Sequence, residues 1–229
     1  MTKHPGCTGR YVYLDLHAGS GFNEAAGVEG SPVIFARIAS SLGIPVEAYF
    51  YEKNRAAADA LESRLSPFRS EDQCLRVVRG DHMASACALL SSLPRLTFGL
   101  IYSDPNGMGT PFDLLAAAAD RVPKMDFLAS INATARKRAR GAFGESVHPL
   151  SECLERIPKG HCLIRHPVGG YQWTMAFLSD WLPRQPPAGF WDIKSPEGAD
   201  ILADLTWSQN ERPRSSRRPS RPFQSRLAL

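Results

Sequence analysis

Short apolar runs alternate with longer amphipathic ones along most of the chain, and that alternation predicts βαβ units around a mostly parallel sheet flanked by helices, an α/β fold. The first predicted strand is Tyr11–Leu16. Ser31–Leu42 follows as a helix, with Ser31 as N-cap and Pro32 in the first turn. Val46–Glu52 reads as a strand and Arg55–Leu65 as a helix that stops before Pro67. Leu75–Arg79 is a strand ending at Gly80-Asp81-His82, and Met83–Leu90 is helical. Thr97–Ser103 is a strand running into Asp104-Pro105-Asn106-Gly107, with the helix Phe112–Val122 behind it. Phe127–Asn132 is the next strand; after a basic segment come a helix over Leu150–Ile157 and a strand over Cys162–His166. Trp173–Leu182 fits a helix or a strand. Phe190–Ile193 and Ile201–Leu205 read as terminal strands paired around Ser195-Pro196-Glu197-Gly198. There is no internal repeat.

Composition narrows the class. A chain of 229 residues that is 43% hydrophobic and 22% charged has the make-up of a packed globular domain, which excludes general disorder and a fibrous repeat. No stretch approaches the ~20 apolar residues of a membrane span, and Met1–Arg10 lacks the apolar run of a secretory signal. The expectation is a cytoplasmic protein with no membrane partner. Five scattered cysteines (Cys7, Cys74, Cys87, Cys153, Cys162) form no Cys-x-x-Cys pair and are expected as reduced thiols, mostly in the core. The net charge of +4 is unevenly spread: Ser208–Leu229 holds six arginines against one acid. This divides the chain into a folded domain, 1–207, and a basic Ser/Pro/Arg tail, 208–229, expected to be disordered. The tail either holds a polyanion through counterion release or serves only solubility.

Candidate chemistry gathers where predicted strands end. Leu14-Asp15-Leu16-His17-Ala18-Gly19-Ser20-Gly21 is an apolar strand entering a small-residue loop, the place where open α/β sheets bind nucleoside cofactors. It is not the dinucleotide fingerprint, because Glu24 stands where the third glycine belongs, and no Gly-Lys-Ser/Thr follows to make a P-loop. An ordinary βα turn is the alternative for these glycines alone. Glu52 closes the next strand, where a carboxylate can accept both hydroxyls of a ribose. Asp81, with His82 after it, closes the third and could accept from an adenine amino group or simply be a solvated loop carboxylate. In this order and spacing the three strand ends outline the S-adenosylmethionine pocket of a class I methyltransferase, with Asp15, His17, Ala18, Gly19, Gly21, Glu52, Asp81 and His82 as cofactor residues. A half-buried loop histidine is an equal alternative for His17.

Asp104-Pro105-Asn106-Gly107 resembles the Asp-Pro-Pro-Tyr-type motif of amino-group methyltransferases. In such sites the aspartate and a proline carbonyl accept hydrogen bonds from the target amino group and aim its lone pair at the methyl, so Asp104, Pro105 and Asn106 are the candidate catalytic residues. Asn106 and Gly107 replace the second proline and the aromatic residue; Phe112 or Tyr102 could supply a ring. Taken with Tyr13–Gly21, Glu29-Gly30-Ser31-Pro32, Glu52 and Asp104–Phe112, the chain resembles the three-Cys-motif partner proteins, class I methyltransferase-like proteins of bacterial mobile and defence contexts, over roughly residues 11–205. His17 and Asn106 each stand where that pattern has phenylalanine. Only ten residues precede the first strand, so the N-terminal substrate helix of many relatives is not expected. The resemblance implies a Rossmann-like class I methyltransferase fold, S-adenosyl-L-methionine as cofactor, and a partner protein.

The substrate side rests on charge and rings. Arg136, Lys137, Arg138 and Arg140 follow the fifth strand near the cofactor rim, where a polyanion would lie, although such clusters also serve as solvated faces. Tyr171 and Trp173 follow glycines after the sixth strand and could stack on a base; Trp173, Trp181 and Trp191 are equally candidates for the core. No metal-ligand spacing emerges. The resulting expectation is methyl transfer to an exocyclic amino group in nucleic acid, DNA or RNA. The alternatives are an inactive methyltransferase-like binding partner and a methyltransferase for a protein or small molecule.

Overall fold

The computed structural model describes residues 9–105, 109–143, 148–167, 173–182 and 186–206, the side chains of Arg140 and Thr206 excepted. Asn106, Tyr171, Cys7 and the tail 208–229 lie outside the described residues. In chain order the elements are β1 (Tyr11–Asp15), the two-residue strands β2 (Phe22–Asn23) and β3 (Val28–Glu29), α1 (Ser31–Ser41), β4 (Val46–Glu52), α2 (Arg55–Leu65), β5 (Gln73–Arg79) and α3 (His82–Ser92). They continue with β6 (Gly99–Ser103), α4 (Phe112–Arg121), β7 (Met125–Asn132), α5 (Ala133–Phe143), α6 (Leu150–Glu155), β8 (His161–Arg165), β9 (Trp173–Ser179), β10 (Phe190–Asp192) and α7 (Pro196–Thr206).

One sheet runs in the order β5-β4-β1-β6-β7-β9-β8-β10. β1, β4, β5, β6 and β7 pair in parallel, while β9 is antiparallel to both β7 and β8. The order reverses at β1, β9 runs against both of its neighbours, and β10 pairs antiparallel with β8 at the edge; this is a Rossmann-like α/β fold. β1 lies at the centre with Val12, Tyr13, Leu14 and Asp15 all buried, as a strand covered on both faces must be. One face packs Leu90, Leu115, Ala118, Leu154, Ile201 and their neighbours from α3, α4, α6 and α7. The other packs Ala36, Ala39, Leu61 and Leu65 from α1 and α2 against Tyr13, Ala48 and Phe50.

Side-chain caps set several helix starts. Asn54 accepts from Ala57 N–H at the head of α2, Asp81 from Met83 N–H at the head of α3, and Asn132 from Ala135 N–H at the head of α5. At α1 the cap is Gly30 rather than Ser31, and the Ser31 hydroxyl donates to Asp15 Oδ2 at 2.7 Å. The expected strand over Ile201–Leu205 is instead helix α7. Ser195 Oγ accepts from Gly198 N–H at 3.0 Å and Pro196 sits in the first turn, so the apparent turn is a helix start. The basic segment after β7 is helical, and Trp173–Ser179 is a strand. Of the four described cysteines only Cys153 is buried, and Trp173, Trp181 and Trp191 are 43%, 60% and 40% exposed, so neither group is core as a whole.

Candidate cofactor and active site

Because β1, β4, β5 and β6 are parallel neighbours, Asp15, Glu52, Arg79 and Ser103 all end at one rim, and the residues after them share it. The loop after β1 is tied to that rim by backbone bonds, Leu16 N–H to Tyr102 O at 2.9 Å and Ala18 N–H to Tyr51 O at 3.0 Å. Asp15 lies wholly buried beneath it. Its carboxylate accepts from His17 N–H at 3.1 Å and from the Ser31 hydroxyl, with the Tyr13 hydroxyl at 3.5 Å. Burial pushes the Asp15 carboxyl up to about 6, against the pull of the Ser31 and His17 hydrogen bonds.

Glu52 spans two strands' ends. Gly19 N–H donates to its Oε2 at 2.9 Å and Asn54 N–H to its Oε1 at 2.6 Å. An ionised carboxylate has about four acceptor positions, so each oxygen keeps capacity for another donor. Gly19 has φ +62°, and a side chain there would meet nothing within 4 Å, so the loop faces open space. Gly21, at φ +77°, is different: a Cβ would stand 2.8 Å from Leu61 Cδ1 and 3.1 Å from Val33 Cγ2, which leaves room for glycine alone. Arg64, on α2, donates to Ser20 O at 2.7 Å and pairs with Glu24 at 3.3 Å, clamping the loop from a position 44 residues along the chain.

The remaining rim residues divide into spent and unspent groups. Asp81 uses one oxygen to cap α3 and is exposed. His82 and His17 meet edge to face with ring centroids 4.6 Å apart, and His17 Nδ1 faces Ser103 Oγ at 3.5 Å. Burial, reinforced by the neighbouring His82, lowers the His17 pKa to about 4; burial also lowers that of His82. Asp104 is exposed and accepts from the Tyr102 hydroxyl at 3.3 Å, which occupies that phenol. His82 also lines a cavity of about 350 Å³, together with Met83, Thr110, Phe112, Cys153 and Arg156 among others. Its Gly109 wall leans on Pro105, whose Cβ would be 3.4 Å from an added Cβ.

The basic cluster is partly engaged inside the fold. Arg136 lies over the Phe112 ring at 5.3 Å and donates to His148 O at 2.7 Å, and Lys137 donates to Asp204 O at 2.8 Å. Arg138 is exposed, and Trp173 opens β9 opposite Asn132. Sequence reasoning missed the roles of Ser31 and Arg64. The Gly30-Ser31-Pro32 run hinted at the first; nothing local points to the second. Among the described residues no group of three His, Cys, Asp or Glu could hold a metal ion, and no helix is long and apolar enough to cross a membrane.

No family model matches the chain, and no curated protein matches it. Solved structures do. The O-methyltransferase from Bacillus cereus in complex with SAH aligns with TM-score 0.48 at 14% identity, over 75% of each chain. The N-terminal domain of human METTL16 in complex with SAH aligns with TM-score 0.45 at 11% identity, over 76% of this chain and 62% of that one. Trm1 from Pyrococcus horikoshii with S-adenosyl-L-methionine gives 0.44 at 13%, over 74% and 50%. These are distant likenesses.

Proposed function

We propose that the protein is an S-adenosylmethionine-dependent methyltransferase acting on an exocyclic amino group in nucleic acid, adenine N6 or cytosine N4. The observation that carries the cofactor is Glu52: two backbone N–H groups from different loops fix its carboxylate while each oxygen keeps capacity for a ribose hydroxyl. The open space over Gly19 leaves room for the rest of such a molecule. Asp15 holds the loop through His17 N–H, Gly19 and Gly21 let the backbone approach the methionine part, and Ala18 keeps that loop on β4. Asp81 has one oxygen left for an adenine amino group. When bound, the cofactor supplies a methyl group already activated by its sulfonium.

The chain's own part is then positioning. Asp104 and the Pro105 carbonyl accept from the acceptor's amino hydrogens and turn its lone pair toward the methyl, with Asn106 next in the motif. Arg138 and Trp173, both exposed, are the described residues best placed by exposure to meet a phosphate and a base, and Arg140 and Tyr171 join them in this reading. The expected result for Asp104→Ala is loss of methyl transfer with S-adenosylmethionine affinity retained in calorimetry; retained turnover removes Asp104 from the mechanism.

A second reading is a methyltransferase-like partner protein, as in the three-Cys-motif partner family, that binds cofactor without turnover. It is favoured by Asn106-Gly107 in place of Pro-aromatic and by the internal engagement of Arg136 and Lys137. Binding of S-adenosylmethionine with no label transferred to DNA, RNA or protein selects it.

A further inference from the structure

Strand β9 is apolar on both of its faces. Thr174, Ala176 and Leu178 share one face and are buried, the last two within the cluster that packs against α3, α4, α6 and α7. The other face carries Trp173, Met175 and Phe177; none of them is buried, and Trp173 is 43% exposed. An antiparallel strand with one face in water alternates apolar with polar residues, whereas a strand that is apolar on both faces belongs under cover on both.

Among the described residues no helix provides that second cover. Pairing across the strands puts Tyr102, Leu128, Phe177 and Leu163 in one row, and Tyr102 at its end packs against the cluster of α1 and α2. That cluster draws on β1, β4 and β5 and holds no residue of β7, β8, β9 or β10. Leu128, Met175, Phe177 and Phe190 are left half-buried on the uncovered half of the sheet. A contiguous apolar patch of this kind marks an interaction surface.

The sequence contains a segment of matching pattern. Phe223–Leu229 alternates, with Phe223, Ser225, Leu227 and Leu229 on one side of an extended chain and Gln224, Arg226 and Ala228 on the other. Between α7 and Phe223 the only large apolar residue is Trp207, so the arginine-rich stretch reads as a linker to an apolar end. The linker also starts in the right place. α7 packs on β8 and β10, at the edge of the uncovered half, and its Asp204 O accepts from Lys137 of α5 at 2.8 Å. The 16 residues 207–222 extend to at most about 55 Å, whereas four strands span about 20 Å, so the end of α7 and the patch are within reach of each other.

We propose that Phe223–Leu229 docks on the uncovered face of β7, β9, β8 and β10, with its apolar side against Met175 and Phe177. Docking tethers the arginine-rich linker at both ends and keeps its charges close to the domain.

The test places p-benzoylphenylalanine in place of Phe223 in the full chain and maps the photo-cross-links by mass spectrometry. The expected link joins position 223 to the peptide carrying Met175 and Phe177 within one molecule, with a yield that does not fall on dilution. No link, or a link to another region, overturns the proposal. A link formed only between two molecules also overturns it and makes a second copy the cover. A second measurement uses the triple variant Phe223→Ser, Leu227→Ser, Leu229→Ser, whose changes lie outside the packed elements. Fluorescence of a dye that binds apolar surface should rise severalfold over wild type while melting stays a single transition. Equal dye fluorescence in the two proteins overturns the docking.

Discussion

At the rim where the strands begin, Lys159 is 1% exposed and donates to Pro123 O at 2.6 Å and Asp180 at 3.3 Å, with its ammonium 4.9 Å from the Phe127 ring. Gly160 N–H takes the other Asp180 oxygen, and the Thr97 hydroxyl closes on Pro94 O. At the rim where the strands end, the same kinds of group are arranged to leave something over. Glu52 and Asp81 hold backbone N–H groups yet keep acceptor capacity, and His82 Nε2 has no hydrogen bond among the described residues. The contrast teaches that polarity alone does not mark a site. Among the described residues each rim leaves one buried side-chain atom without a hydrogen bond, Gln73 Oε1 where β5 begins and His82 Nε2 where α3 begins. The difference lies in how the carboxylates are engaged: Asp180 is paired with a buried ammonium, Glu52 and Asp81 with backbone N–H groups.

The largest effect is expected at the closed rim. A methyl group added at Gly99 would fall inside the van der Waals shell of Val12 O, on the central strand, so Gly99→Ala should cost more than about 3 kcal/mol in urea denaturation. A near-wild-type midpoint would show that this rim relaxes. Lys159→Ala strands Asp180 and Pro123 O and should cost about 2–4 kcal/mol while leaving S-adenosylhomocysteine affinity unchanged. Weakened binding would mean that the two rims communicate.

At the open rim two opposing titrations can be separated. The folded state raises Asp15 from 3.8 to about 6, so this group stabilises below pH 3.8 and the contribution is lost as pH rises through about 6. His17 falls from 6.5 to about 4, so its contribution is present above pH 6.5 and is lost as pH falls through about 4. Asp15→Asn removes the first and should gain stability relative to wild type between pH 4 and 7, on the order of 3 kcal/mol. His17→Phe should shift the other way. Melting curves that run parallel for all three proteins would contradict the burial of both groups. Smallest in stability is Glu52→Ala, at under about 1 kcal/mol, yet it should lose about 1–3 kcal/mol of cofactor binding.

Much of this rim was legible because it is local. β4 at Val46–Glu52 and α2 at Arg55–Leu65 coincide with the runs read from the sequence, since an apolar strand, an asparagine cap and a following Pro67 bound them unambiguously. Asp15, Gly19, Glu52, Asp81 and Asp104 come to this rim for the same reason: each stands within a few residues of a strand end. The bonds that hold them were not legible. Ser31 reaches Asp15 across 16 positions and Arg64 reaches Ser20 across 44, and periodicity reports only neighbours along the chain. The α7 error has a local cause. Ile201–Leu205 is too short to separate period 2 from 3.6, and the decisive signal was the Ser195 cap.

The central place of β1 carries a cost during synthesis. Its neighbours are β4 and β6, which begin at Val46 and Gly99, so β1 waits for both. At ~5–20 residues per second the second edge of Tyr11–Asp15 stays unpaired for several seconds, with Tyr13 and Leu14 uncovered on opposite faces. Slow codons between Glu52 and Gly99 would lengthen the interval. The strand that ends buried at the centre of the sheet begins with both edges open.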